Sequence, residues 1–207
     1  MSKIILASGS PRRKILLEQL GLSFDIIVSN TDEVIDPMLS PSELVIQLSK
    51  QKAADVAKNL EGDFVVLGAD TIVVYKDKVL GKPKDREEAK AMLTMLQGNM
   101  HEVYTGITLI QTKNHLIKVG YERTEVYMRA LSSSIIDAYI NTREPMDKAG
   151  AYGIQGVGAV LIDKVCGDYN NVVGLPLKLL SILLKEMDVD IFENYTFPAR
   201  RMARWDH

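Results

Sequence analysis

Residues 64–75 read Phe64-Val65-Val66-Leu67-Gly68-Ala69-Asp70-Thr71-Ile72-Val73-Val74-Tyr75. Two runs rich in β-branched and aromatic residues, Phe64 to Leu67 and Ile72 to Tyr75, have the length and composition of strands, and Gly68 to Thr71 is expected to lie between them. The same stretch sets a carboxylate, Asp70, among apolar neighbours. An isolated buried carboxylate is costly, so Asp70 must be paired, hydrogen-bonded or bound to a metal. That makes it the best single candidate for chemistry, although a turn-forming Asp bonded to backbone N–H groups accounts for the same residue. With Glu33 or Asp32 it could hold a hard divalent cation through oxygen ligands, as magnesium is held by one or two carboxylates plus substrate phosphates.

Outward from this stretch, strands and helices interleave. Downstream, Lys76-Asp77 turns the chain into Val79-Leu80. Asp85-Arg86-Glu87-Glu88 then opens a helix whose Ala89, Met92, Leu93 and Leu96 have i, i+3, i+4, i+7 spacing, closed by Gly98. From His101 to Met128 the period becomes two, with Val103, Thr105, Ile107 and Leu109 on one face and a hairpin turn at Lys113-Asn114. A short helix over Ser133 to Ile140, a strand over Val157 to Val165 and a Leu-rich helix after Pro176 follow. Upstream, Ser40-Pro41-Ser42-Glu43 is a capping box for a helix to about Asn59. Before it come a strand over Lys3 to Ala7, a helix capped by Ser10-Pro11 and ended by Gly21, and a strand over Phe24 to Val28. The expected fold is α/β with a mixed sheet flanked by helices, one domain over residues 1–192. Residues 193–207, with Arg200, Arg201 and Arg204, form a basic tail.

The composition fits that reading. Of 207 residues, 46% are hydrophobic, and 25 Lys plus Arg against 27 Asp plus Glu leave a net charge of -2, which excludes a disordered or fibrous chain. No apolar stretch approaches the roughly 20 residues of a membrane span, and the N-terminus is too short in apolar residues for a signal peptide. A cytoplasmic protein is expected. One cysteine, Cys166, makes no internal disulfide. Near-neutral charge also argues against a nucleic-acid coat, so any anion must be held locally.

Three further places break local rules. Arg12, Arg13 and Lys14 crowd the first turn of a helix, where the partial positive charge disfavours cations. A phosphate bound by the Ser8 and Ser10 hydroxyls, the free N–H groups and two guanidiniums would reverse that sign, while a solvated basic turn is the plainer account. Lys52 sits in the apolar stripe of Val45, Leu48 and Val56, either snorkelling to water or aimed at an anion or carboxylate in a cleft. Gly81-Lys82-Pro83 and residues 150–158, Gly-Ala-Tyr-Gly-Ile-Gln-Gly-Val-Gly, allow close backbone approach to a ligand. Gln155 there has the donor and acceptor that reading a base edge requires, though a bulged strand and a tight turn would need the same glycines. A P-loop, a complete dinucleotide fingerprint, His-Glu-x-x-His and Gly-x-Ser-x-Gly are all missing.

Taken in order, Leu6-Ala7-Ser8-Gly9-Ser10-Pro11-Arg12-Arg13, Lys52-Ala53, Gly68-Ala69-Asp70-Thr71, Gly81-Lys82-Pro83, Gly98 with His101-Glu102-Val103-Tyr104-Thr105, residues 148–156 and Asn171-Val172-Val173-Gly174-Leu175-Pro176 resemble the Maf family, from Ile4 to about Leu184. The resemblance implies a bent mixed sheet with two lobes around a cleft (Maf/ITPase-like), often as a homodimer. It further implies a nucleoside triphosphate pyrophosphatase that uses Mg or Mn to cleave between the α and β phosphates. Carried over by residue, Asp70 is the proton acceptor and Glu33 helps it place metal and water. Arg13, Lys52 and Lys82 face the phosphates beside Ser8. Arg12, Thr71 and Gln155 match the positions that separate substrate classes, in the combination of the branch acting on dTTP and UTP. The competing expectations are a nucleotide-binding regulator of septum formation, or the same house-cleaning enzyme acting on a modified nucleotide. Met128 and Asp168 stand where the family often has Phe and Ser.

Overall fold

The computed structural model describes residues 3–31, 36 and 38–193. Asp32, Glu33 and the tail arginines Arg200, Arg201 and Arg204 therefore lie outside the described residues. One mixed sheet of seven strands is flanked by helices. Its strands are β1 (Lys3–Leu6), β2 (Phe24–Ile26), β3 (Phe64–Tyr75), β4 (Lys78–Leu80), β5 (Met100–Gln111), β6 (Ile117–Met128) and β7 (Ile162–Cys166). They run in the order β2-β1-β3-β5-β6-β7, and β4 pairs with β3. The helices are α1 (Pro11–Gln19), α2 (Pro41–Ala57), α3 (Arg86–Leu96), α4 (Ser133–Asn141), α5 (Tyr169–Val173) and α6 (Leu177–Lys185).

The two apolar runs of the opening stretch form one strand rather than two. β5 pairs with β3 continuously from Val65↔Gln111 to Val74↔Glu102, so Gly68-Ala69-Asp70-Thr71 is held in extended form by its antiparallel neighbour. On the other edge of β3 the pairing is broken: parallel β1 covers Phe64 to Leu67 and antiparallel β4 covers Val73 to Tyr75. Residues 68–72 thus have a strand partner on one side, and the chain leaving β1 turns away there into α1. An opening at the carboxyl ends of parallel strands is where α/β sheets bind ligands.

Two glycines let α2 lie directly on this part of the sheet. A Cβ on Gly68 would stand 2.2 Å from the Ser49 carbonyl oxygen, and one on Gly106 would stand 2.2 Å from that of Val45. Gly106 is the partner of Asp70 across the β3–β5 ladder. Between the same elements, the buried Ser49 and Thr108 hydroxyls meet at 2.8 Å. The capping box forms as the sequence predicts: the Ser40 Oγ accepts from the Glu43 N–H, and the Glu43 carboxylate accepts from the Ser40 N–H. Leu44, Val45 and Leu48 pack on Ile72 and Val74. Val65, Leu67 and Ala69, pointing to the opposite face, join Leu16, Leu17, Leu180 and Leu184 in the main core.

Other expectations change. Residues 157–161 are not strand: Gly156–Leu161 is a 3-10 turn and β7 begins at Ile162. The positive φ of Gly156 and the closeness of Gly158 to its surroundings bend the backbone there. β2 ends at Ile26, two residues early. The helix α5 had no apolar periodicity to announce it, being five residues long; the Asp168 side chain caps it by accepting from the Asn170 and Asn171 N–H groups. Asp168 thereby does what a Ser would do at that position.

Candidate active site

The opening beside β3 is a cleft of about 520 Å³, within the range of small-molecule sites. Of the residues singled out from the sequence, Ser10, Arg12, Arg13, Lys52, Asp70, Thr71, Lys82 and Gln155 line it. A hollow of about 340 Å³ shares Arg12, Arg13, Lys52 and Lys82 with it and adds Ser8, Gly9 and Ser29.

Asp70 leaves β3 on the face covered by α2, and Lys52, one turn beyond Ser49, forms an ion pair with it. Asp70 is 8% exposed. The ammonium compensates the burial of the carboxylate, and the apolar stripe of α2 carries the lysine because it ends at a charge partner rather than in water. Thr71 leaves the opposite face. There Arg13, from the first turn of α1, donates from Nε to the Gly174 carbonyl (2.8 Å), from Nη1 to Ser8 Oγ (3.2 Å) and from Nη2 to Thr71 Oγ1 (3.1 Å). Thr105 Oγ1 donates its only proton to the Asn171 carbonyl at 3.0 Å, so Thr71, at 2.9 Å from Thr105, donates to it. The Thr71 hydroxyl is thus committed to orienting Arg13. Gly174 has φ 121°, a conformation that other residues rarely adopt.

Ser10 occupies the N-cap of α1, but its side chain makes no cap bond; its N–H donates instead to Ser8 Oγ at 3.3 Å. The first turn holds no acidic residue. Arg12 reaches across the cleft: its Nη1 donates to Asp147 Oδ2 at 2.9 Å, and Lys148 Nζ donates to Asp147 Oδ1 at 2.7 Å. Burial pushes the Asp147 carboxyl up, yet the bonds from Lys148 and Arg12 outweigh it and hold it below the usual carboxylate range. Lys82 is exposed at the rim and Gln155 is exposed among Gly153 and Ile154 on the wall.

Sequence reasoning did not assign roles to Lys148, Asp147, Asn171 or His101. Lys148 and Asp147 adjoin a glycine-rich stretch already singled out, and Asn171 is a polar side chain beside two valines that is fully buried. Its amide donates to the Val103 carbonyl (3.0 Å) and to Thr124 Oγ1 (2.8 Å). His101 is buried, its Nε2 lying 2.7 Å from the Tyr152 hydroxyl, and burial lowers its pKa to about 4. It is neutral at physiological pH and stands behind the cleft wall through Tyr152.

No cluster of three or more His, Cys, Asp or Glu able to hold a metal occurs among the described residues. Of the two carboxylates that line the cleft, Asp147 is held by Arg12 and Lys148, and Asp70 is the buried one, in a cationic setting. That donor set fits a magnesium-like ion whose remaining ligands are substrate phosphates and water, not a structural zinc.

A family model described as Maf-like protein matches residues 3–187. A dTTP/UTP pyrophosphatase of Bacillus cereus strain G9842 is 50% identical over 191 residues, covering 92% of this chain and 98% of that protein. One from Bacillus anthracis strain CDC 684 is 52% identical over the same shares. Among solved structures, a nucleoside-triphosphatase (dITP/XTP pyrophosphatase) of Mycobacterium abscessus aligns with a TM-score of 0.43 at 16% identity, over 90% of this chain and 96% of that one.

Proposed function

The chain belongs to the Maf family, and from that premise we propose that it hydrolyses dTTP and UTP to the monophosphate and pyrophosphate. The observation that carries the proposal is the convergence on one cleft of Arg12, Arg13, Lys52, Lys82 and Lys148 with a single buried carboxylate, Asp70. A protein of net charge -2 gathers five cations in one cavity when its ligand is a polyanion. The relatives named dTTP/UTP pyrophosphatase support the choice of nucleotides.

In this reading the triphosphate lies along Arg13, Lys52 and Lys82, with Ser8 and the N-terminal N–H groups of α1 as further donors. Arg13, whose direction is fixed by Gly174, Ser8 and Thr71, forks onto phosphate oxygens. Asp70 accepts the proton of the attacking water as the α–β bridging bond breaks, and the surrounding cations neutralise the charge that develops on the departing pyrophosphate. A divalent cation, Mg or Mn, would be held by Asp70 and Glu33 with the phosphates and would supply further charge neutralisation there. Gln155 faces the base. Arg12 and Thr71 shape the selectivity, Thr71 through Arg13. The proposal carries with it a cytoplasmic enzyme, a homodimer as in the family resemblance, and no stable nucleic-acid binding. No helix among the described residues is long and apolar enough to cross a membrane.

The test is pyrophosphate release from a panel of nucleoside triphosphates, with Mg or Mn, by wild type and Asp70→Asn. Release from dTTP and UTP, reduced about 10²- to 10⁴-fold by the substitution, is expected. UTP binding without cleavage of any triphosphate would make the protein a nucleotide sensor and overturn the enzyme reading.

A further inference from the structure

The Gln155 side chain makes no hydrogen bond to another described residue; both of its flanks are tied down instead. On the N-terminal side the Gly153 N–H donates to the Tyr139 hydroxyl oxygen at 3.0 Å. On the C-terminal side the Val157 and Gly158 N–H groups donate to Glu144 Oε2 and Oε1, each at 3.0 Å. Tyr139 closes the set by donating its own proton to Glu144 Oε1 at 2.9 Å. One carboxylate and one phenol therefore hold both ends of a short turn, while Ile154 anchors its middle in the main core.

The fit leaves no slack. A Cβ on Gly158 would stand 2.2 Å from the Gly153 carbonyl oxygen, 2.5 Å from the Tyr139 hydroxyl and 2.9 Å from Glu144 Oε1, and one on Gly156 would stand 2.8 Å from Glu144 Oε2. Tyr139 is 3% exposed. It belongs to the last turn of α4, and Glu144 opens the 3-10 turn that follows. Neither lines the cleft. A partly buried network in which every member is satisfied holds one geometry far better than a loop on its own. The residue so presented is the only one of the turn with a side-chain amide, exposed and on the cleft wall.

We propose that Tyr139 and Glu144 are positioning residues for nucleobase selectivity: they clamp the turn on both sides of Gln155 and thereby aim its amide at the Watson–Crick edge of a pyrimidine. This rests on the reading of the cleft as a nucleoside triphosphate site. Removing the Tyr139 hydroxyl frees the amide without touching Arg13, Lys52 and Lys82, which come from α1, α2 and the turn after β4, or the bond of Lys148 Nζ to the Glu144 backbone carbonyl (2.6 Å). Base recognition should weaken while phosphate recognition stays.

The experiment compares wild type with Tyr139→Phe, which keeps the ring in its buried site and deletes the hydroxyl, and with Glu144→Gln. For each, KM and kcat are measured for UTP, dTTP and CTP. The inhibition constant of inorganic tripolyphosphate, which has phosphates and no base, is measured beside them, with the melting temperature as a check on folding. Tyr139→Phe deletes two hydrogen bonds, of which the one from the Gly153 N–H holds the turn directly, and KM for UTP should rise about two- to tenfold, the worth of that one bond. The preference for UTP over CTP should shrink by a similar factor, and tripolyphosphate inhibition should be unchanged. Should Glu144→Gln fail to fold, Tyr139→Phe alone decides. Equal losses for UTP and tripolyphosphate, or no change in base preference, would overturn the proposal. If wild type cleaves no triphosphate, the enzyme reading fails. Calorimetric binding of UTP, CTP and tripolyphosphate to the same variants then tests the clamp separately.

Discussion

Lys52 and His101 both break the rule that polar side chains avoid apolar surroundings, and the structure resolves them in opposite ways. Lys52 is met by Asp70 in an ion pair; His101 is buried beside the Tyr152 hydroxyl, and that burial removes its charge. With its pKa lowered to about 4 by burial, the unfolded chain binds a proton at His101 that the folded protein refuses. Stability should therefore be full above pH 6.5 and fall as the pH drops from about 6.5 to about 4, by about 3 kcal/mol in all from this group. Urea unfolding of wild type and His101→Gln across that range checks it: the variant should lack this part of the pH slope, and parallel curves would refute the assignment. The sequence marked Lys52 as anomalous but left its cause open, because the distance from residue 52 to residue 70 is a matter of packing. His101 gave no such sign, since a lone histidine in a period-two strand looks like any half-buried polar residue.

The element that sets the site is α2, and its depth on the sheet is decided by Gly68 and Gly106. Gly68→Ala would drive a methyl group to within 2.2 Å of the Ser49 carbonyl oxygen and 2.8 Å of the Ala53 nitrogen, backbone atoms that cannot turn aside. The helix must shift, carrying Lys52 away from Asp70. A destabilisation of about 1–3 kcal/mol is expected, with a fall in pyrophosphate release beyond what loss of folded protein explains. The control is Gly81→Ala, where a Cβ meets nothing within 4 Å and the denaturation midpoint should stay put. Both measurements come from one chemical denaturation series with activity assayed on the folded fraction. From the sequence, Gly68 looked like a break between two strands. Pairing with β5 overrode its weak strand propensity, and the glycine proved to serve the helix above it.

At the scale of the whole molecule, a chain with slight negative charge concentrates Arg12, Arg13, Lys52, Lys82 and Lys148 around the opening beside β3. The opening exposes residues from both faces of one strand, Asp70 toward α2 and Thr71 toward α1 and α5, so groups separated by the sheet elsewhere share a cavity. The field of such a cluster acts over roughly 10 Å at 0.1 M salt and about 3 Å at 1 M. Raising potassium chloride between those concentrations should increase KM for UTP several-fold with kcat nearly constant. A salt-independent KM would mean that the cations do not face the substrate.

What the sequence by itself determined was most of the elements and several of the residues that line the cleft. Capping boxes, glycine stops and hydrophobic periods act over a few residues, so α2, α3, the β5–β6 hairpin and the buried position of Asp70 are written locally. Charges in the wrong places, at Arg12, Arg13 and Lys52, marked residues that the structure brings together on one cleft. Tertiary structure alone decided that residues 64–75 are one strand, because β5 supplies hydrogen bonds along its whole length. It also turned residues 156–161 away from the sheet, joined Arg12 to Asp147 across 135 positions, and committed the Thr71 hydroxyl to Arg13 through Thr105 and Asn171. Each of these depends on which distant backbone fills the space beside a residue, and no local pattern of side chains encodes that.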